Sequence, residues 1–393
     1  MTTALHLVAG VDFNTLPQQL VNGLLLGAIY ALIALGYTMV YGVLRLINFA
    51  HGEVYMLGGY VALFVSYYLG FRPDATSAQT SSIMNLLIML VASMVVCSLV
   101  GITIERFAYR PMRSHSRIAS LITAIGVSLL LQYGGALFLP TSPPPSISEN
   151  VNPFHGQSHS FTIVPPPRDI LAQAQTMKPA ADQAQTTYQA WLTAHPGADT
   201  FNLPPDGKAL RTAAQDASGK YEALEKQADA KSIKLIIQTG QAVMLISTVI
   251  LMGLLTYMVL FTRRGRAMRA VAHDFDSAAL MGVNVNNIVA FTFVMGSSLA
   301  GAGAMMTTTF LGTPLTTFYG LAPGVKAFVA AVLGGIGNIP GAVLGGLLMG
   351  LAENMVVWAG YSNYRDAIAF VILIVVLLFR PGGLMGSSKV EKV

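Results

Sequence analysis

The stretch from Leu20 to Phe71, LVNGLLLGAIYALIALGYTMVYGVLRLINFAHGEVYMLGGYVALFVSYYLGF, decides how the chain is read. Two charge-free hydrophobic spans, Leu20 to Tyr41 and Val54 to Phe71, flank the polar segment Arg45-Leu46-Ile47-Asn48-Phe49-Ala50-His51-Gly52-Glu53. Arg45, His51 and Glu53 fall there with no room for a domain on either side. An ionisable group at or near membrane depth costs several kcal/mol unless it faces a cavity or a partner, so the segment points to a pathway more than to an anchor. For His51 and Glu53 two readings stand side by side: pathway lining, or an end cap with a salt bridge to Arg45.

Composition agrees with a membrane class. Of 393 residues, 53% are hydrophobic and 10% charged, against about 25% charged in a typical soluble domain, and the mean hydropathy is +0.58. Runs long enough to cross a core of about 30 Å recur at Ile83 to Ile104, Ile118 to Pro140, Leu235 to Phe261 and Ile288 to Leu311. A continuous apolar region from Gly324 to Phe379 follows, interrupted by Lys326, Glu353, Arg365 and Asp366. The expected fold is an all-α polytopic membrane protein of about eight to ten crossings with discontinuous segments. The single cysteine, Cys97, lies inside a span, and no Cys/His cluster has metal-ligand spacing. Met1 to Gly10 lacks the basic region of a cleaved signal peptide.

Basic residues set the expected topology. Arg106, Arg110, Arg113 and Arg117 form one cluster, and Arg263, Arg264, Arg266 and Arg269 another; short Arg-rich loops stay in the cytoplasm. Residues 141–234 then fall outside, and Arg380, Lys389 and Lys392 place the C-terminus inside. The net charge of +5 follows from topology and is not a nucleic-acid footprint, since no aromatic interleaving accompanies it.

Three parts are expected: a first transmembrane half, 1–140; an extracytoplasmic Pro/Ala/Gln-rich insertion, 141–234; and a second half, 235–393. The insertion opens with Pro143-Pro144-Pro145 and repeats the punctuation at Pro165-Pro166-Pro167. Apolar residues at steps of three or four predict two helices, about Arg168 to Ala194 and Asp206 to Lys234, an external helical hairpin. It is either a tolerated insertion or a docking surface for an external partner. In the second half, Met268, Val271, Phe275, Ala278, Ala279 and Gly282 recur at helical spacing and predict one cytoplasmic helix over about 266–282, stopped by Gly282. A basic amphipathic helix often lies on anionic lipid; Asp274 and Asp276 oppose that here.

The blocks Asn22-Gly-Leu-Leu-Leu-Gly-Ala-Ile-Tyr-Ala-Leu32, Gly36-Tyr-Thr-Met-Val-Tyr-Gly42 and Ile47-Asn-Phe-Ala-His-Gly-Glu53 resemble the H-type (LivH-like) permease subunit of bacterial branched-chain amino acid ABC importers. So do Ile104-Glu105-Arg106 with Tyr109-Arg110-Pro111, Gly265-Arg266-Ala267 through Leu280-Met281-Gly282, Lys326-Ala327-Phe328, Val332 through Gly341, and Val390 through Val393. The resemblance covers nearly all of Leu20 to Val393 outside 141–234. It implies an inner-membrane permease that translocates leucine, isoleucine and valine by alternating access, on the lipid bilayer, with no nucleic acid. Its implied partners are a second homologous permease, two cytoplasmic ATPase subunits and an extracytoplasmic solute-binding protein. The chain has no G-x-x-x-x-G-K-[ST] loop, so ATP belongs to the partners, no cofactor is expected here, and the chain is not itself an enzyme. Arg266, Arg269, Phe275, Ala278, Ala279 and Gly282 become the expected ATPase-coupling residues.

Asn48, His51 and Glu53, with Asn338, Pro340, Lys326 and Glu353, are the expected pathway or gate residues. Two helix breaks, Asn48 to Glu53 and Gly337 to Gly341, each precede Gly-rich helix and suggest an internal repeat. Lys326 and Glu353 are expected to pair with each other, since unpaired intramembrane charges are rare. Other classes remain open: a related permease for urea or short amides, or a proton-coupled amino acid carrier using Glu53, Glu353 and Lys326 as relay groups.

Overall fold

The computed structural model of the chain describes residues 13–71, 81–113, 115–140, 151–196 and 203–386. Pro143 to Pro145, Gly197 and the terminal Lys389 to Val393 lie outside them. The described residues form two compact units.

The larger unit, 19–158 with 237–386, is built on two helices buried on every side. Helix α1 (Leu16–Leu44) is buried continuously from Ala28 to Val40, as a helix that is apolar all round must be. Around it come α2 (His51–Tyr68), α3 (Ile83–Ile104), which runs on through a π-helical turn at Glu105–Tyr109, and α4 (Arg117–Phe138). In the smaller unit, β1 (Ser158–Val164) pairs with β2 (Ile233–Gln238), and α5 (Arg168–Ala194) and α6 (Pro205–Lys231) form the helical pair. The larger unit resumes with α7 (Thr239–Phe261), α8 (Arg263–His273), α9 (Phe275–Leu280) and α10 (Val285–Phe310). It closes with α11 (Leu321–Gly334), α12 (Ile339–Trp358) and α13 (Ala367–Phe379).

Six described helices are long and apolar enough to cross a membrane: α1, α3, α4, α7, α10 and α12. The shorter apolar helices α11 and α13 and the 18-residue α2 pack with them. The outer helices bury one stripe and turn apolar side chains outward: Ile122, Leu130 and Leu137 on α4, Ile250, Leu254 and Tyr257 on α7. Such a surface matches hydrocarbon, not water.

Helix α10 is the second core helix, buried from Gly296 through Phe310. Small residues let its backbone close on α3: a methyl group at Gly301 would lie 2.5 Å from the Ser93 carbonyl oxygen and 2.9 Å from Cys97 Sγ. Ser93, Cys97 and Gly101 supply the facing small stripe of α3, the usual means of close helix packing in lipid. Gly301→Val therefore forces the helices apart and costs about 1–3 kcal/mol, read by thermal unfolding of the purified protein. Gly126→Val, where an added Cβ meets nothing within 4 Å, is the matched control and should be silent.

The internal repeat differs from the expected one. Helix α1 ends at Arg45, which has φ 53° and is the only described non-glycine residue at positive φ; the chain then re-enters as the short helix α2. Helix α10 likewise ends at Phe310, crosses 311–320 and re-enters as the short helix α11. The two core helices run antiparallel, Gly36 beside Gly296 and Ile33 beside Gly303. The partner of the 45–50 break is thus 311–320, and Gly337 to Gly341 is a tight turn between α11 and α12.

Two local readings also change. The single helix expected over 266–282 is two: Asp274 takes an extended φ of −154° and its carboxylate accepts from the Ser277 N–H at 2.8 Å, ending α8 and capping α9. In the smaller unit the helices come with strands β1 and β2. Ile233 and Lys234 are expected to end the insertion's second helix and Leu235 to start the next span, yet Ile233–Gln238 pairs as a strand, and α7 starts only at Thr239 behind a Gln238/Gln241 capping box.

Candidate functional site

The starts of the two short helices meet inside the larger unit. Neither Ala50, before α2, nor Gly320, before α11, caps its helix with a side chain. Their backbones touch: a Cβ on Gly52 would lie 2.7 Å from the Gly320 oxygen, and one on Gly324 2.9 Å from Gly52 Cα. Beside this crossing is a cavity of about 240 Å³, lined by both helix starts, by Tyr37 of α1, by Phe49 and Phe328, and by Ser128, Leu129 and Gln132 of α4.

Glu53 is the ionisable group on its wall. The residue is 1% exposed. Its Oε1 accepts from the Ser128 hydroxyl at 3.3 Å, and its Oε2 has no hydrogen-bond partner among the described residues. The salt bridge to Arg45 is not what holds it. A buried carboxylate oxygen without a donor is costly, and part of that cost is relieved by its place in the first turn of α2, where the helix dipole favours an anion.

His51 and Asn48 turn away from the cavity. The His51 Nε2–H donates to the Ile33 carbonyl at 3.3 Å, and its ring stands edge-on to Tyr37 at 4.6 Å between centroids. Gly36 leaves room for that ring: a Cβ there would overlap it. The Asn48 Oδ1 accepts from the Tyr109 hydroxyl at 3.1 Å, which ties the break to the π-helical turn. In that turn, the fully buried carboxylate of Glu105 is clamped by Arg110 at 3.0 Å and by Arg113.

Lys326 and Glu353 pair at 2.7 Å, inside a larger cluster. The Tyr30 hydroxyl donates to Glu353 Oε2 at 2.7 Å, Arg365 donates to Oε1, and Lys326 meets Asp366 at 2.6 Å. Two cations and two anions so close α1, α11, α12 and the start of α13 on one another, and neither Lys326 nor Glu353 lines the cavity. Asn338 and Pro340 are also structural: the Asn338 Oδ1 caps α12 by accepting from the Gly341 N–H at 3.0 Å, its Nδ2 donates to the Met385 carbonyl at 2.8 Å, and Pro340 sits in the first turn.

The pair α8–α9 separates its expected contact residues. Arg269 donates to the carbonyls of Val259 and, at 3.2 Å, of Leu260, closing the end of α7. Phe275 and Ala278 pack inward. Arg266, Ala279 and Gly282 are exposed, and Gly282, at φ 85°, ends α9. Two residues that helical spacing passed over are the most prominent: Leu280 is 88% and Met281 85% exposed at the tip.

Residues 19–377 match the family described as branched-chain amino acid transport system / permease component. The chain belongs to this permease family. It is 37% identical over 376 residues to the high-affinity branched-chain amino acid transport system permease protein BraD of Pseudomonas aeruginosa, covering 96% of this chain and 97% of that one. The LivH protein of the same description from Escherichia coli K12 is 34% identical with the same coverage. The ribose import permease protein RbsC of Escherichia coli K12 is 32% identical over 130 residues, 31% of this chain and 40% of that one. No solved structure matches. The permease is thus a multi-pass membrane protein of a transport family, as its blocks around Asn22, Ile47 and Val332 suggest.

Proposed function

We propose that the chain is the permease subunit of a binding-protein-dependent, ATP-driven importer of leucine, isoleucine and valine in the bacterial inner membrane. Family membership over residues 19–377, with relatives of that description matched along nearly their whole length, carries the reading. A second homologous permease, two cytoplasmic ATPase subunits and an external solute-binding protein complete the assembly, and ATP stays with the ATPases. The Arg-rich α8–α9 end and the C-terminus face the cytoplasm, and residues 141–234 face outward. Closure of the ATPases moves α8–α9, which is joined to α7 through Arg269, and the bundle rocks to open the cavity beside Glu53 to one side at a time.

A proton-coupled carrier is less well supported, because two of its three relay groups, Lys326 and Glu353, are engaged with each other and with Arg365. Energy source separates the two. In proteoliposomes holding the full assembly, leucine uptake should require internal ATP and survive a protonophore. Uptake that collapses with the protonophore while ATP is held constant would remove the importer reading.

A further inference from the structure

The cavity beside the α2–α11 crossing carries one buried carboxylate on a largely apolar wall. At the start of α2, the Gly52 N–H donates to the Tyr37 hydroxyl, and Glu53 lies on the cavity wall. The start of α11 comes against the same point, Gly320 and Gly324 touching Gly52, with its own donors engaged: the Leu321 N–H donates to the Phe318 carbonyl, the Gly324 N–H to that of Gly320, and Pro323 has none. The unpartnered Oε2 of the buried Glu53 calls for a cation or a strong donor. The remaining wall is apolar, with Phe49, Phe328, Ile125 and Leu129. A volume of about 240 Å³ lies below that of drug-sized sites and suits a small solute.

We propose that this cavity is a transit site for the ammonium of an aliphatic α-amino acid: the ammonium pairs with Glu53, and the side chain lies on Phe49, Phe328 and Leu129. A neutral amide such as urea has no ammonium for Glu53, and a lone carboxylate would meet Glu53 as a like charge. The site therefore selects the head group inside the membrane, downstream of any external binding protein.

This assignment rests on the amino acid importer reading, and the test keeps the two apart. The complete assembly in nanodiscs, without binding protein, is titrated with leucine and with 4-methylpentanoate, which has the same carbon skeleton without the ammonium, under saturation-transfer NMR. Wild type should prefer leucine at least ten-fold. Glu53→Gln, which keeps size and the Ser128 contact, should abolish that preference and lower ATP-driven leucine uptake at least ten-fold, with all subunits still co-purifying. Glu53→Asp, which restores the carboxylate on a shorter arm, should recover the preference with weaker leucine binding. A wild type that does not discriminate, or a Glu53→Gln protein that discriminates or imports as wild type does, overturns the site. A wild-type assembly that imports no leucine with ATP and binding protein present overturns the importer reading instead.

Discussion

Glu353→Leu alone is expected to destabilise the permease by about 3–5 kcal/mol, the cost of leaving buried charge without its partner. Glu353 is 0% exposed and takes hydrogen bonds from Tyr30, Lys326 and Arg365. With it gone, Lys326, whose side chain is 10% exposed, keeps only Asp366, whose side chain is 72% exposed and largely hydrated. The double replacement Lys326→Met and Glu353→Leu should recover most of the loss, because buried ion pairs often give way to apolar residues of similar volume at little net cost. Arg365 and Asp366 then remain as a cation and an anion that water can reach. Unfolding midpoints of the purified single and double variants in one detergent measure both effects. A single variant within about 1 kcal/mol of wild type would mean that the cluster does not hold α1, α11 and α12 together, and a double variant worse than the single would mean that packing, not charge, is at stake.

The pairing of Lys326 with Glu353 was legible because charge inside an apolar run has few ways to be satisfied. Arg365 and Asp366 stand in the same run, but which charges meet depends on how α11, α12 and α13 cross. The 45–50 break was legible because it carries Arg45, His51 and Glu53. Its counterpart at 311–320 was not, since it contains no ionisable residue: its polarity is hydroxyl only, and those groups satisfy one another. Tyr55 meets Thr307 at 2.6 Å and Tyr319 at 3.1 Å, and Thr313 meets Tyr319 at 2.9 Å. Ser128 and Gln132 lie on α4, whose polar positions look like tolerated exceptions in a lipid-facing span until α2 is seen beside them. The stop at Asp274 was readable as an N-cap, but apolar spacing continued across it. Side chains that are almost fully exposed, as at the tip of α9, leave no periodic signal of burial.

That tip supplies the other large effect. Changing Leu280 and Met281 together to aspartate should abolish retention of the ATPase subunit and ATP-driven uptake while leaving the permease folded. Both side chains are almost fully exposed, so their replacement should move the unfolding midpoint by no more than about 0.5 kcal/mol. A residue that acts as a hot spot of an interface accounts for about 2 kcal/mol or more of binding when truncated, a loss of about 30-fold in affinity, and two buried charges add desolvation to it. A lipid surface is the competing destination for an exposed Leu-Met pair. Against it, Asp274 and Asp276 flank the tip, and the Ser277 N–H holds the Asp274 carboxyl below its ordinary range, so it stays anionic at neutral pH beside an anionic leaflet. Gly282→Leu is the informative contrast: an added Cβ there meets no atom within 4 Å, but φ 85° strains any side chain, so it should disturb the end of α9 while leaving Leu280 and Met281 able to dock. Wild-type uptake and ATPase retention in the double aspartate variant, or loss only in Gly282→Leu, would move the coupling surface off the tip and back onto the exposed face of α8 around Arg266.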